Sequence, residues 1–260
     1  KRDFKDLGTH DVFFDDTYKN TPLDPAYNQV HIPGANARGT NYVVTTDAIY
    51  ILEGATCHVL DPATGQTTTE ISLPQTDPDH PHDWGYIGVY QDVLLGGVGF
   101  ANYRDRHEGD QDEALRQSEK RAGFGEKSLD LAASMALVGF DRHTGKQLWK
   151  VDALHSFWHN GIVAGGGLIY TLDRNPSKVE EILRRRGKSN PDTYRLLAIN
   201  ALTGETAWEL SGQVFGTWLG YSETHGLLLQ AGAAASDRLS SEVGQGMAVY
   251  RAQTGEVVWQ

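Results

Sequence analysis

The chain places apolar and polar residues in short alternating runs, and these runs come in groups of four. Each run is rich in Val, Ile, Leu, Tyr and Trp and is bounded by Gly, Asp or Asn, which favours strands over helices. The pattern therefore predicts an all-β fold of four-stranded antiparallel units. The predicted strands are 41–45, 48–52, 56–60 and 68–73; then 85–90, 93–97, 136–141 and 147–151; then 161–164, 168–172, 195–200 and 206–210; and finally 219–222, 227–231, 247–251 and 257–259.

A Thr-Gly phrase separates the third and fourth strands of every unit. Its glycine supplies the positive φ that a tight turn needs and that other residues adopt with strain. A Trp stands four residues after the Gly in the last three copies, whereas Thr69 holds that place in the first. A repeat in phase with four strands is typical of the blades of a β-propeller. The copies are 61–65, 141–145, 200–204 and 251–255, and the tryptophans are Trp149, Trp208 and Trp259.

The repeat also predicts how the chain is divided. Residues 1–34 form an irregular connecting segment, and residues 35–260 form about four blades of a partial propeller. Helical insertions separate the second and third strands of blades two and three, and we expect helices at 108–133 and 177–187. Propellers close with four to eight blades, and closure with four is possible but uncommon, so we expect the chain to be part of a larger propeller. The predicted blades are 35–74, 82–152, 158–211 and 215–260, with insertions at 101–134 and 174–193.

The amino-acid composition argues against some classes of partner. The net charge of −11 argues against a nucleic-acid surface, which needs clustered Lys and Arg. No apolar run is long enough to span a bilayer. Cys57 is the one cysteine, so the chain forms no internal disulfide and has no cysteine-based metal or haem motif. We expect Cys57 to be a buried strand residue.

The Asp-x-x-Thr-Gly-x-x-x-Trp phrase resembles the tryptophan-docking repeat of the quinoprotein-like (PQQ-repeat) β-propellers. That fold is shared by the pyrroloquinoline quinone (PQQ) alcohol dehydrogenases and by non-catalytic relatives such as the outer-membrane assembly lipoprotein. Residues 159–165 and 215–219 are also similar to large PQQ-repeat proteins of planctomycete-type bacteria. The resemblance covers about residues 36–260. It implies that the Trp side chains pack between adjacent blades and that the protein lies in the periplasm or another extracytoplasmic compartment.

Candidate ligand-binding residues follow from aligning the blades on their first hairpins. Counting back from these hairpins places polar and aromatic side chains where the innermost strands begin, at the mouth of the central channel. Aromatic walls with a few convergent polar groups are typical of small-molecule sites, and structural packing is the competing interpretation. The predicted ligand-binding or cofactor-binding residues are Arg38, Asp83, Trp84, His159, Asn160 and Trp218.

The segment 77–83 is a second candidate, because it holds three carboxylates and two imidazoles that could bind calcium or zinc. Loops between blades are usually acidic and solvated, and this ordinary interpretation is preferred. We therefore predict no metal site and no catalytic residue.

The resemblance leaves two functions open. The quinoprotein dehydrogenases carry adjacent cysteines under the cofactor and an Asp base beside a calcium ion, and no local pattern here maps onto that site. We expect a non-catalytic binding or scaffold module. Its expected partners are the remaining blades, another protein chain or a small molecule in the central channel. The alternative is a segment of a PQQ-dependent dehydrogenase that oxidises an alcohol or a sugar with PQQ and calcium.

Overall fold

The described residues form three antiparallel β-sheets. The structure is a computed structural model that describes residues 42–75, 82–99, 133–175, 180, 183–232 and 246–260. Its strands are β1 Tyr42–Val44, β2 Ile49–Glu53, β3 Thr56–Leu60, β4 Thr67–Ser72, β5 Trp84–Tyr90, β6 Val93–Val98, β7 Ala133–Asp141, β8 Gln147–Gly165, β9 Leu168–Asp173, β10 Arg195–Asn200, β11 Thr206–Ser211, β12 Trp218–Ser222, β13 Leu227–Gly232, β14 Gly246–Arg251 and β15 Val257–Trp259.

Strand pairing follows the chain order throughout. Strands β1 to β4 form one sheet, β12 to β15 form another, and β5 to β11 form a seven-stranded sheet between them. Each predicted group of four strands is present, so the protein is an all-β fold of propeller blades. The first strands of successive blades lie side by side, because β1 contacts β5, β5 contacts β8, and β8 contacts β12.

The long strand β8 joins blades two and three, where the sequence pattern predicted two strands with a break between them. Its first part pairs with β7 and its last part pairs with β9. The buried carboxylate of Asp173 bridges the segment between them, because it accepts the backbone N–H groups of Leu154 at 2.6 Å and His155 at 2.7 Å. Arg195 donates to the same carboxylate at 2.6 Å. A buried acceptor that binds two backbone amides keeps this segment extended.

In the described part of the chain the core consists of three apolar layers, one at each junction between neighbouring blades. Tyr50, Cys57 and Trp84 belong to the first layer. Trp149 belongs to the second and Tyr250 to the third. The Cys57 thiol is fully buried as expected, and burial raises its pKa to about 12. Apolar strand faces are thus removed from water by pairing blade against blade, which is the main stabilisation of such a fold.

Two of the repeat tryptophans make the same contact with the following blade. The indole N–H of Trp149 donates to the backbone oxygen of Ala201 at 2.8 Å, and that of Trp208 donates to the oxygen of Ala252 at 2.8 Å. Both acceptors are the second residue of a Thr-Gly phrase. The ring also covers the Gly of the same turn, as described below. We call this arrangement the indole–turn contact.

The first junction has Thr69 in place of the Trp and is held by different groups. A Cβ added to Gly145 would lie 3.1 Å from Ile71 and 3.7 Å from Thr69, so smaller side chains cover this turn. Arg142, in the same turn, donates to both carboxylate oxygens of Asp47 at 2.9 Å. An ion pair at the edge of the junction therefore accompanies the smaller apolar contact.

Little of the first insertion lies within the described residues, whereas most of the second does. Residues 180 and 183–185 are helical and Pro191–Thr193 forms a 3₁₀ turn, whereas most of the predicted helix 108–133 and residues 1–34 lie outside the described part. Ala133 already belongs to β7, so this strand begins earlier than predicted. No helix in the described residues is long and apolar enough to cross a membrane.

Candidate functional site

The predicted ligand-binding residues lie at the beginning of the innermost strands, except for Arg38, which lies outside the described residues. Asp83 precedes β5 and is exposed. Its backbone oxygen accepts the N–H of Gly99 at 2.8 Å and closes the end of the β5–β6 hairpin. The Asp83 carboxylate is therefore the most accessible polar group of the described set.

Trp84 is used in packing. It is 4% exposed and belongs to the apolar layer between blades one and two. Its indole N–H donates to the oxygen of Ala55 at 3.1 Å, and its ring stacks on Phe140 at 5.7 Å. Both the polar edge and one face of this ring thus have partners within the protein.

His159 and Asn160 lie in a bulge of β8. The pairing of β8 with β9 passes from Phe157 opposite Asp173 directly to Ile162 opposite Thr171, so the residues between are unmatched. Bulges re-aim side chains, and they are common beside functional sites. His159 is buried, whereas Asn160 is partly exposed.

A buried serine partners this histidine. The Nε2 atom of His159 and the Oγ atom of Ser134 share a hydrogen bond of 2.9 Å, and the ring of Tyr86 lies 5.7 Å from the imidazole. Burial raises the pKa of Tyr86 to about 12. Gly85 and Gly97 make room for the serine, since a Cβ at either position would collide with Oγ. The serine and the histidine are both almost completely buried, so the pair is closed to a substrate in the described structure.

Trp218 is the one predicted aromatic residue that stays partly exposed among those described. It begins β12 and pairs with Ala231. The preceding Thr217 is fully buried. Gly216 is required here, because a Cβ would collide with the backbone oxygen of Ala231. This close approach of two backbones fixes the start of the innermost strand in blade four.

Arg174 was not among the residues predicted from the sequence for the channel mouth. It is 8% exposed and follows β9. Its guanidinium lies between two aromatic rings, 5.9 Å from the centroid of Trp158 and 5.6 Å from that of Tyr194. It donates to the backbone oxygen of Gly216 in the next blade at 3.3 Å. Burial lowers the pKa of Arg174. The sequence feature that could have drawn attention to Arg174 is its place directly after the apolar strand that ends in Asp173.

These side chains face different junctions. Trp84 packs towards blade one, His159 contacts Tyr86 of blade two, and Arg174 reaches blade four. Neighbouring residues on a strand point to opposite faces, which explains why Trp158 and His159 have different partners. A planar quinone needs an open aromatic face and free cationic or hydrogen-bonding groups. Among the predicted ligand-binding residues that the structure describes, Trp218 is the one whose aromatic ring stays partly exposed.

Metal ligands are not gathered in the described part of the chain. No group of three or more His, Cys, Asp or Glu residues there is arranged to hold an ion. Most of the candidate segment 77–83 lies outside it; His82 is partly exposed and Asp83 is exposed.

The family follows from comparison with known proteins. The profile of the family described as outer membrane protein assembly factor BamB, of the PQQ-like repeat type, matches residues 58–260. The chain belongs to this family. The match includes all four Thr-Gly turns. No curated protein matches the chain.

Solved structures of PQQ-like proteins resemble this member of the BamB family at low identity. The quinohemoprotein alcohol dehydrogenase ADHIIG from Pseudomonas putida HK5 is 14% identical with a TM-score of 0.47, over 85% of this chain and 33% of that one. A europium-containing methanol dehydrogenase is 11% identical with a TM-score of 0.46, over 84% and 40%. BamB from Moraxella catarrhalis is 12% identical with a TM-score of 0.41, over 84% and 46%. The chain thus spans less than half the length of each.

Proposed function

We propose that the chain is a non-catalytic binding and scaffold module that presents a rigid propeller surface to a protein partner. The proposal includes a periplasmic or other extracytoplasmic location. It is supported by membership in a family named for an outer membrane protein assembly factor. Fold and family alone do not decide function. The packing of the candidate side chains is therefore the main support for the proposal.

The observation that carries the proposal is the use of two candidate side chains, Trp84 and His159, for packing. Trp84 donates to the backbone oxygen of Ala55, and His159 is hydrogen-bonded to Ser134. The neighbouring Trp158, which was not a candidate, donates to the backbone oxygen of Arg174 at 3.1 Å. Buried polar groups with internal partners stabilise a unique arrangement and are not available to a ligand. These residues therefore support a structural role at the channel mouth.

The surface proposed to meet the partner is the end of the blades that carries the insertions. Second strands end there, whereas the Thr-Gly turns lie at the opposite end, because successive strands are antiparallel. The described part of the second insertion is attached firmly, since Glu180 accepts from Ser189 and from Tyr194. Arg184 is exposed on it. A cation on an otherwise acidic protein favours a partner with an acidic patch.

A second candidate is a segment of a PQQ-dependent dehydrogenase. The observation that favours it is the partly exposed Trp218, which lies at the start of an innermost strand and could provide a stacking face. Asp83 is an accessible carboxylate at the corresponding end of blade two. Arg38 and any calcium ligands would have to join them from outside the described residues.

Thermal unfolding with PQQ and calcium separates the two functions. A ligand that binds only the folded state at a hundredfold excess over its Kd stabilises that state by about 2.7 kcal/mol. We expect no change in Tm with PQQ, with calcium, or with both. A saturable rise in Tm that disappears in the Trp218→Ala variant would overturn the proposal in favour of the dehydrogenase.

Partner binding is tested by deleting residues 108–132, which leaves Ala133 and the rest of β7 in place. Proteins captured from an extracytoplasmic extract by the intact chain should be lost in the deletion variant, while its Tm stays unchanged. The control is Leu202→Ala, which removes an exposed side chain in a Thr-Gly turn at the opposite end. Unchanged capture by the deletion variant would contradict the first insertion as the docking site.

A further inference from the structure

Arg174 is a buried cation at the place where the chain leaves β9 and enters the second insertion. Its guanidinium lies between the rings of Trp158 and Tyr194, which belong to β8 and to the end of the insertion. Both rings are almost completely buried. Attraction between a cation and aromatic rings is strongest where water is excluded. The side chain of Arg174 is therefore held from the blade and from the insertion at the same time.

Tyr194 connects Arg174 to the rest of the insertion. The hydroxyl of Tyr194 donates to the carboxylate of Glu180, and the hydroxyl of Ser189 donates to the other oxygen of the same carboxylate. Hydrogen bonds to an ionised acceptor are stronger than those between neutral groups. The Glu180 carboxylate thus joins residue 189 of the insertion to the ring that packs on Arg174.

The turn next to Ser189 is closed by its own backbone. The N–H of Lys188 donates to the oxygen of Leu183 at 2.9 Å, and the N–H of Gly187 donates to the oxygen of Arg184 at 3.1 Å. Together with the φ of +66° at Gly187, these bonds form a Schellman motif, which ends a helix in a fixed way. Residues 183–189 are therefore a closed turn that is attached through Glu180 and Tyr194 to Arg174.

On its other side Arg174 reaches the segment that leads into the innermost strand of blade four. We call residues 215–217 the blade-four entrance. The Nη1 atom of Arg174 donates to the backbone oxygen of Gly216 at 3.3 Å. The N–H of Phe215 donates to the side-chain oxygen of the buried Gln230 at 3.1 Å, so the entrance is also tied to its own blade. One guanidinium therefore contacts both the insertion and the blade-four entrance.

The cost of burying the charge makes these contacts depend on one another. Burial disfavours the charged guanidinium and lowers its pKa, whereas Tyr194 and Glu180 oppose this shift. If the insertion opens, Arg174 loses both of these groups and gains free energy by turning towards water. The oxygen of Gly216 then loses its donor. Opening of the insertion and opening of the blade-four entrance therefore favour each other.

We propose that Arg174 couples the second insertion to the blade-four entrance, so that the two open and close as one unit. A partner that binds the closed insertion then also stabilises the entrance, by linkage. The entrance leads directly into β12, which begins at the partly exposed Trp218. Binding on the insertion is thereby transmitted to the channel mouth. This use by a partner rests on the proposed function, whereas the coupling itself does not.

The experiment measures amide hydrogen exchange by NMR in the intact chain. The amide of Lys188 reports on the insertion, that of Phe215 reports on the blade-four entrance, and that of Gly145 reports on a turn in blade two. Tyr194→Phe removes the hydroxyl that binds Glu180 and keeps the ring on Arg174. Because one unit opens as a whole, we expect Lys188 and Phe215 both to exchange about tenfold faster in this variant. Exchange at Gly145 should stay unchanged.

Arg174→Met tests whether the guanidinium carries the coupling, because Met fills the space between the rings without donating a hydrogen bond. With this change present, Tyr194→Phe should still speed exchange at Lys188 but no longer at Phe215. Arg251→Met is the matched control, since it removes an exposed arginine in a Thr-Gly turn, and it should change neither amide. Circular dichroism checks that each variant is folded.

Two results would overturn the inference. One is exchange at Phe215 that Tyr194→Phe leaves unchanged; this comparison stands even if Arg174→Met does not fold. The other is an equal response of Phe215 to Tyr194→Phe with and without Arg174. No partner takes part in these measurements, so a failure of the proposed function would leave their result as it is.

Discussion

The indole N–H of Trp149 in blade two donates to the backbone oxygen of Ala201 in blade three at a distance of 2.8 Å. This hydrogen bond joins two segments that are far apart in the sequence, and it is placed by a ring that covers Gly204. The repeat of a Trp after a Thr-Gly turn is thus a device for fixing one blade against the next. Trp208 and Ala252 repeat it at the following junction.

The first prediction concerns this contact. Trp149 is 6% exposed, so Trp149→Ala should reduce the free energy of unfolding by about 3–5 kcal/mol. Trp149→Phe keeps most of the ring but leaves the oxygen of Ala201 without its donor, which costs about 1–3 kcal/mol. Urea denaturation measures both. Leu202→Ala is the control, and a larger effect there than at Trp149 would contradict the role of the indole.

Alanine substitutions at two glycines with similar φ angles separate the steric cost of an added Cβ from the cost of backbone strain. Gly204 has φ +73° and lies under Trp149, whereas Gly65 has φ +71° and no described neighbour within 4 Å. An alanine should therefore be strained at both positions, but it should also collide with the indole at Gly204. We expect Gly204→Ala to cost about 1–3 kcal/mol more than Gly65→Ala.

Each substitution is made alone in the otherwise unchanged chain. Urea midpoints at constant slope give the difference. Equal losses for the two substitutions would show that the indole does not press on Gly204.

The strand that joins blades two and three should depend on Asp173. Its buried carboxylate accepts two backbone amides and Arg195, so Asp173→Ala leaves the partly buried Arg195 guanidinium and two amides without this partner. The expected loss of unfolding free energy is about 3–5 kcal/mol. Asp152→Ala removes an exposed partner of Lys150 and should cost only about 0–1 kcal/mol.

Hydrogen exchange gives a local measure of the same prediction. The amides of Leu154 and His155 should exchange slowly in the unchanged chain and much faster in Asp173→Ala. If they stay protected in the variant, the carboxylate does not hold this segment.

The Thr-Gly turns predict a dependence of stability on pH. The N–H of Thr144 donates to the carboxylate of Asp141 at 2.8 Å, and this hydrogen bond lowers the pKa of Asp141 below its ordinary value of 3.8. A carboxyl group whose folded-state pKa is lowered stabilises the protein above the unfolded pKa. The stabilisation is lost as the pH falls below 3.8 towards the lowered folded-state pKa. Tm should therefore fall in this acid range.

Asn200 shows how to isolate the contribution of this carboxylate. The carboxylate of Asp141 accepts the backbone N–H groups of His143 and Thr144. In blade three the side-chain oxygen of Asn200 accepts the equivalent N–H groups of Leu202 and Thr203 without carrying a charge. Asp141→Asn should keep the turn at neutral pH and show a shallower loss of Tm below pH 3.8. Identical pH profiles for the variant and the unchanged chain would contradict the assignment.

The strands could be predicted closely because their residues carry the signal locally. The predicted and observed bounds of β3, β10 and β15 are the same. The continuity of β8 could not be predicted, because it depends on Asp173, a residue from the neighbouring strand. The pattern around Leu154 contains no information about that acceptor.

The candidate site was harder to predict for the same reason. Counting along strands could propose Trp84, which begins β5, and His159, which lies in the bulge of β8, but it could not give the direction in which each side chain packs. That direction depends on partners such as Ala55 and Ser134, which come from other strands. Arg174 was missed because a single basic residue after a strand is usually exposed.

Indole hydrogen exchange in the chain labelled with ¹⁵N-Trp tests the central claim, that Trp149 and Trp208 fix adjacent blades. Single Trp→Phe variants assign the signals. The account predicts slow exchange for the indole N–H groups of Trp149 and Trp208 and fast exchange for Trp259, which has the same sequence context but is 50% exposed and has no acceptor among the described residues. Exchange at the same fast rate for all three would contradict it.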